Sequence, residues 1–208
     1  MRRWRPLAAI LVPAAPFVAA AATANSQPSP AAVHCGTERW AVKTLTDPQA
    51  KLVNLTQPNT TLTVEKLRRI SKPATWSISA PRLSPVETTS YQVKVLLMSM
   101  IKEADSDIHL VIADPKIGGS MIAEFPDPGC TAGASAQARQ LMTSARTALA
   151  GACGGEPNGT AITLGGTATL TGVGFFDKIH GQGGVAPNGI ELHPVIGVSN
   201  ISCERVQR

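Results

Sequence analysis

The chain has 208 residues, a formal net charge of +5, 43% hydrophobic residues and only 4% aromatic ones. That length supports one domain with a substantial core rather than two. So few aromatics argue against a base-stacking surface for nucleic acid, and so modest a charge against a polyanion-binding one.

Arg2, Arg3 and Arg5 precede an apolar, Ala-rich run from Leu7 to Ala22, and Ala22-Thr23-Ala24 is a small-x-small cleavage site. This is the pattern of a Sec-type signal peptide over residues 1–24. Pro13 and Pro16 break the run, so it reads as a removable leader rather than a spanning helix, and the Arg2-Arg3 pair does not specify a twin-arginine route. Cleavage there leaves 184 of the 208 residues and removes three arginines, so the formal charge falls from +5 to +2. The expected location is secreted or extracytoplasmic, with no membrane association after cleavage and no strong nucleic-acid signal. An oxidising compartment makes Cys35, Cys130, Cys153 and Cys203 a disulfide framework. Of the three possible pairings, Cys130 with Cys153 and Cys35 with Cys203 is favoured, because the first two flank one helix. No cysteine or histidine spacing suggests structural zinc.

Residues 25–84 read as an N-terminal extension, opening on a Pro/Ser/Ala-rich lead-in. Trp40 and Val42 alternate with charged neighbours and suggest a strand over 38–45. Asp47-Pro48 starts a short helix over 49–53. Thr63 caps another over Val64–Ile70, ended by Lys72-Pro73. Arg68, Arg69 and Lys72 read as a solvated face of it.

Residues 85–208 carry the denser pattern. Tyr91, Val93, Val95 and Leu97 alternate with their neighbours as one strand, Ile108, Leu110 and Ile112 as a second, and Ser120–Phe125 form a third. The period then changes: Ala138, Leu141, Met142, Ala145 and Leu149 mark a helix over 135–150, with Ser135 as N-cap, Gly151 as stop, and Arg139 and Arg146 on the solvent side. Thr160–Phe176 and Ile190–Val198 are the last strands. The expected fold is therefore mainly β with helices: a five-stranded OB-like barrel of order strand-strand-strand-helix-strand-strand behind an N-terminal extension. The alternative is an open antiparallel sheet under one helix.

The polar chemistry concentrates in the last hairpin. With Asp177 placed opposite Ile190, Phe175 faces Leu192 and Gly174 faces His193. Phe175, Ile190 and Leu192 then point inward, Glu191 and His193 point outward together, and Gly174 leaves room beside the imidazole. The connecting loop, Lys178–Gly189, has twelve residues where hairpins usually need about two to five. It holds His180 and Asn188, the latter also a natural turn residue before Gly189. His109 and Glu124 sit on the second and third strands, out of phase with the apolar residues, so they too belong to the outer face. Candidate ligand-binding residues are therefore Asp177, His180, Asn188, Glu191, His193, His109 and Glu124. The acidic turn Asp105-Ser106-Asp107 disfavours phosphate and is a weak calcium signal by itself. The spacing matches no metal motif and no catalytic set, so no metal, cofactor or catalytic residue is assigned.

The segment GVGFFDKIHGQGGVAPNGIELHPV at 172–195 resembles the closing motif of a family of exported bacterial proteins. Cys35-Gly36-x-Glu38-Arg39-Trp40-x-Val42-Lys43-Thr44, Pro85–Thr89, Asp105–Val111 and Met121-Ile122-x-Glu124-Phe125-Pro126 are similar to that family's other signatures. The resemblance covers most of the chain that remains after cleavage and implies export, with no agreed activity to carry over. In strand order alone the chain also resembles the staphylococcal-nuclease barrel. Those enzymes place arginines and carboxylates around calcium, and no matching arginine stands beside Asp105, Asp107 or Glu124. The reading that follows is a secreted, disulfide-tied OB-like protein. It binds an extracytoplasmic ligand (an envelope polymer, a protein or a small molecule) through the outer face and the 178–189 loop. The alternative is a metal-assisted phosphodiester hydrolase with its site in the 177–193 hairpin, His180 or His193 acting as base or ligand and Asp177 and Glu191 as ligands.

Overall fold

The computed structural model describes Met1 and residues 33–56, 58 and 60–206. Apart from Met1, the leader expected over 1–24 lies outside the described residues. No helix among the described residues is long and apolar enough to cross a membrane.

Alternating burial builds the three strands expected in the middle of the chain: β2 (Ser90–Lys102), β3 (Ile108–Ala113) and β4 (Ser120–Phe125). They follow β1 (Thr60–Thr61), which runs parallel to the start of β2. The last two strands, β5 (Ile162–Phe176) and β6 (Ile190–Arg205), are long and bent. The sheet order is β1-β2-β3-β4-β6-β5, and β5 also pairs with β2. A ring of hydrogen bonds thus passes through five strands in the expected order. Between β4 and β6 it closes through only two parallel residue pairs, Ile122 with Glu191 and Ala123 with Leu192, so the ring is not a fully sealed barrel.

Between β4 and β5 lies the expected helix, α3 (Ala136–Ala152), with the Ser135 hydroxyl accepting from the Ala138 N–H. Leu149 and Ala145 reach the main core, which holds Val93, Val95, Leu97, Leu110, Ile112, Phe125, Phe176 and Leu192; Ala138 and Met142 pack in a second cluster with Val173 and Ile196. Arg146 is not on the solvent side. It is 2% exposed, donates to the carbonyls of Ser106 (3.1 Å) and Phe125 (2.7 Å), and pairs with Glu156 through Nε (2.6 Å) and Nη2 (2.8 Å).

The N-terminal segment departs most from expectation. Residues 40–43 form a helical turn, α1 (Trp40–Lys43), not a strand. Helix α2 (Val64–Arg68) carries the expected Thr63 cap, and its Val64 and Leu67 enter the main core. The segment is fastened by a buried ion pair: Arg39 Nη1 and Nη2 donate to the two oxygens of Glu87 at 2.9 and 2.6 Å. A second buried arginine, Arg82, pairs with Asp47. The disulfides are Cys35–Cys130, with Cα atoms 5.6 Å apart, and Cys153–Cys203, at 5.1 Å. The pairing expected from the sequence is therefore wrong. Cys153 ends α3 beside the far end of β6, while Cys130 stands where the N-terminal segment crosses, so each finds a partner remote in sequence.

Candidate functional site

The site grows from strand phase. On β3, Ile108, Leu110 and Ile112 fill the core, which leaves His109 on the opposite face. Phe125 and Ala123 on β4 and Leu192 and Ile190 on β6 do the same for Glu124, Glu191 and His193. His109 is directly opposite Glu124 in the β3–β4 ladder; β4 and β6 pair at Ile122–Glu191 and Ala123–Leu192, and Glu124 and His193, the next residue on each strand, are close enough to interact electrostatically. The four residues thus share one face across three strands, as the sequence indicates.

They are not open to solvent. His109 and Glu124 are each 5% exposed and Glu191 and His193 each 2%. An outer barrel face would leave them wet; here α1 and the 178–189 loop lie over it. Lys43 of α1 reaches Asp177 at 3.3 Å and stands 5.3 Å above the Phe175 ring. The loop brings the Gly183 carbonyl to 3.0 Å from His109 Nε2. At Gly184 (φ +80°) any Cβ would overlap the Val111 methyls, so only glycine lets the loop lie this close.

The final hairpin is shifted one residue from the expected register. Phe176 pairs with Ile190, Phe175 with Glu191, and Gly174 with Leu192. Phe176, not Phe175, therefore enters the main core. Phe175 joins the covered outer face, edge-on to His193 with ring centres 5.6 Å apart and 4.7 Å beneath the Arg39 guanidinium. Gly174 opens no space beside His193; it admits the Val86 carbonyl and the Tyr91 ring instead. Further along the pair the register breaks twice more, between Thr171 and Gly172 and between Gly172 and Gly174.

Two imidazoles organise the covered face. His109 Nδ1 lies 2.8 Å from Glu124 Oε1 and 3.3 Å from Glu103 Oε1. Burial opposes the charge on His109, but the hydrogen bond and charge of Glu124 outweigh it and lift the pKa to about 9. Burial pushes the Glu124 carboxyl upward, with His109 pulling the other way. Glu103 is also raised by burial, although its side chain keeps 42% exposure and forms the rim of the site. His193 sits between Asp107 (3.4 Å) and Glu191 (3.7 Å), separations of ion-pair contact rather than of directed hydrogen bonds. Burial disfavours its charged form, but the two carboxylates prevail and bring its pKa to about 9. Lys43 is likewise desolvated, yet Asp177, Glu191 and Glu124 together hold it charged. Despite these contacts, Asp107 Oδ2, Glu124 Oε2 and both His193 nitrogens are buried without a hydrogen-bond partner.

The remaining predicted residues divide. Asp177 faces Lys43 at the edge of the covered face. Asn188 anchors the loop: its Nδ2 donates to the carbonyls of Leu67 (3.0 Å) and Ile70 (2.8 Å), and its Oδ1 accepts from the Ile190 N–H. His180 is exposed, and among the described residues no hydrogen bond or ion pair joins it to Asp177, Glu191 or His193. The hairpin therefore does not assemble the four-residue set on which the hydrolase alternative depends. Sequence reasoning did not single out Glu103, Lys43 or Asp107 as site residues. Lys43 and Asp107 fall inside stretches marked by the resemblance, and Asp107 also belongs to the acidic turn at 105–107 with its weak cation signal; Glu103 carried neither. No protein-family model, curated protein or solved structure matches this chain.

Proposed function

We propose that this is an exported, OB-like binding protein, kin to the bacterial family its motifs resemble, that takes a small cationic ligand at the covered face between Glu103 and the 178–189 loop. Two disulfides support an oxidising, extracytoplasmic setting. The observation that carries the ligand reading is the under-satisfied acidic cluster. Glu103, Asp107, Glu124, Asp177 and Glu191 gather around Lys43, His109 and His193, and two of the buried carboxylate oxygens lack any donor. Asp107 and Glu124 each have a partner on the other oxygen, but a buried carboxylate oxygen without a donor is costly in a purely structural role. A ligand bringing positive charge or N–H donors removes that cost, whereas an anion adds to it. Glu103 gives such a ligand its way in.

The test is a melting-temperature series on the purified, disulfide-intact protein at pH 7 with calcium, magnesium, zinc and spermidine. A ligand at one hundred times its Kd stabilises by about 2.7 kcal/mol, which for a chain of this size is a rise of roughly 5–10 °C. At least one probe should produce it, and the shift should shrink at pH 5, where protons compete for the carboxylates. No shift with any of the four refutes the reading.

A further inference from the structure

Resting on that reading, we propose that the ligand is a transition-metal dication of the zinc type, held by Glu103, His109 through Nδ1, and Glu124. These three offer an imidazole nitrogen and two carboxylate oxygens, all within 4.8 Å of one another. Bonds of about 2.0–2.1 Å at tetrahedral angles place ligand atoms roughly 3.3–3.4 Å apart. The Nδ1 separations of 3.3 Å from Glu103 and 2.8 Å from Glu124 need only small side-chain adjustments to meet that.

Three features distinguish this cluster from a chance gathering of acids. First, His109 is already oriented as a metal ligand. Its Nε2 faces the Gly183 carbonyl at 3.0 Å, and donation there turns Nδ1 toward the two carboxylates, where a metal can take the place of the proton between them. A backbone acceptor on the far nitrogen is the usual support for a ligating histidine. Second, Glu124 Oε2 is buried and unpartnered, so the carboxylate has unused capacity inside the cluster. Third, Glu103 is the exposed member, so a metal can arrive with its water and keep one coordination position on the solvent side. Calcium asks for six to eight oxygens, and two carboxylates fall far short of that. An imidazole with two carboxylates suits zinc and its neighbours better.

Only a proton or a cation can sit between Nδ1 and two carboxylates at these distances. Binding near neutral pH therefore displaces the Nδ1 proton of His109 into solvent, about one per metal.

The experiment is zinc titration calorimetry on the disulfide-intact protein without a polyhistidine tag, in two buffers of different ionisation enthalpy. It is run beside Glu103→Gln and His180→Ala variants whose metal-free melting temperatures are first compared with wild type. Glu103 is exposed enough for its glutamine variant to fold normally. Wild type should take one zinc per chain and release about one proton; Glu103→Gln should bind at least tenfold more weakly, and His180→Ala should match wild type. Equal affinity in Glu103→Gln, loss of binding in His180→Ala, or no zinc binding overturns the metal site. Should zinc fail while calcium, magnesium or spermidine still raises the melting temperature, the metal assignment falls and the cationic-ligand reading stands. Should all four fail, both fall.

Discussion

The buried Arg39–Glu87 pair gives the sharpest test of how the N-terminal segment is held over the strands. Arg39 donates to both Glu87 oxygens and also to the carbonyls of Ala80 (2.9 Å), Phe176 (3.0 Å) and Pro81 (3.0 Å). Glu87 accepts in addition from the N–H groups of Phe176 (2.9 Å) and Leu83 (2.6 Å). Consider Glu87→Gln, which keeps the shape. Whichever way the amide turns, its NH2 meets two donors: Arg39 Nη1 with the Phe176 N–H, or Arg39 Nη2 with the Leu83 N–H. The Arg39 charge also loses its counter-ion. Breaking one side of a buried pair costs about 3–5 kcal/mol, roughly 6–20 °C in melting temperature at this chain length. Replacing both charges with apolar residues is often nearly neutral, but not here. Arg39→Met with Glu87→Leu orphans the Ala80 and Pro81 carbonyls and the Leu83 and Phe176 N–H groups, at about 1–3 kcal/mol each. Only the Phe176 carbonyl keeps a donor, from Trp76 Nε1 at 2.8 Å. Urea unfolding with intact disulfides, followed by tryptophan fluorescence, measures both variants. A loss below about 1 kcal/mol in Glu87→Gln, or wild-type stability in the double variant, refutes the reasoning.

Alkali should destabilise the protein. His109 and His193 both titrate near 9 when folded, above the usual value of 6.5. Their stabilisation is therefore complete below about pH 6.5 and is lost as pH rises through about 9, by up to roughly 1.4 kcal/mol per pH unit for each group. For His193 the groups responsible are Asp107, Glu191 and Glu124, with Lys43 opposing. Unfolding titrations at pH 6, 7.5 and 9 should show the fall, and His193→Gln should flatten it; a flat wild-type profile contradicts the assignment. Non-reducing peptide mapping should recover Cys35 with Cys130 and Cys153 with Cys203. Cross-links spanning 95 and 50 residues each constrain the unfolded chain by about 4–5 kcal/mol in the entropic account, so Cys153→Ser with Cys203→Ser should lower stability by a comparable amount; a change under 1 kcal/mol counts against that bridge. Gly184→Val should cost about 1–3 kcal/mol through the positive φ and the Val111 overlap. It should also raise amide exchange across 180–185 and move the His109 ring resonances, and unchanged resonances would show that the loop does not depend on this glycine.

Much of this fold is legible because its strands and main helix are long enough for a period to declare itself. Strands β2, β3 and β4 and helix α3 stand where alternation and helical spacing put them. The four residues of α1 are too few: Trp40 and Val42 fit a strand as well as a turn. The turn is set by tertiary contacts, with Arg39 at φ +50° held by its carbonyl and carboxylate partners, and by the Thr44 hydroxyl donating to the Trp40 carbonyl. Arg146 illustrates a second limit. A helical wheel assigns it to solvent, but it donates to the carbonyls of Ser106 and Phe125, partners that no local pattern reveals. The phase of His109, Glu124, Glu191 and His193 was readable, and their burial was not. Phase is a property of each strand, whereas burial depends on a segment and a loop arriving from residues 35–43 and 178–189.

The two covers over this face are held very differently, and the difference bears on how a ligand enters. The N-terminal cover is fixed by the Cys35–Cys130 bond, by Arg39–Glu87 and by Arg82–Asp47. The loop rests on lighter contacts. Its C-terminal end is fixed through Ala186, buried in the core, and Asn188. Over the site itself it offers the Gly183 carbonyl and the fit of Gly184 on Val111, while residues 178–181 are exposed. Lifting the loop would cost His109 its orienting acceptor. Entry past Glu103 leaves that acceptor in place. A site approached from the rim, with its buried imidazole already aimed, spends little binding energy on ordering itself. That is why Glu103, the most exposed member of the cluster, should govern affinity more than any residue of the hairpin whose sequence first drew attention.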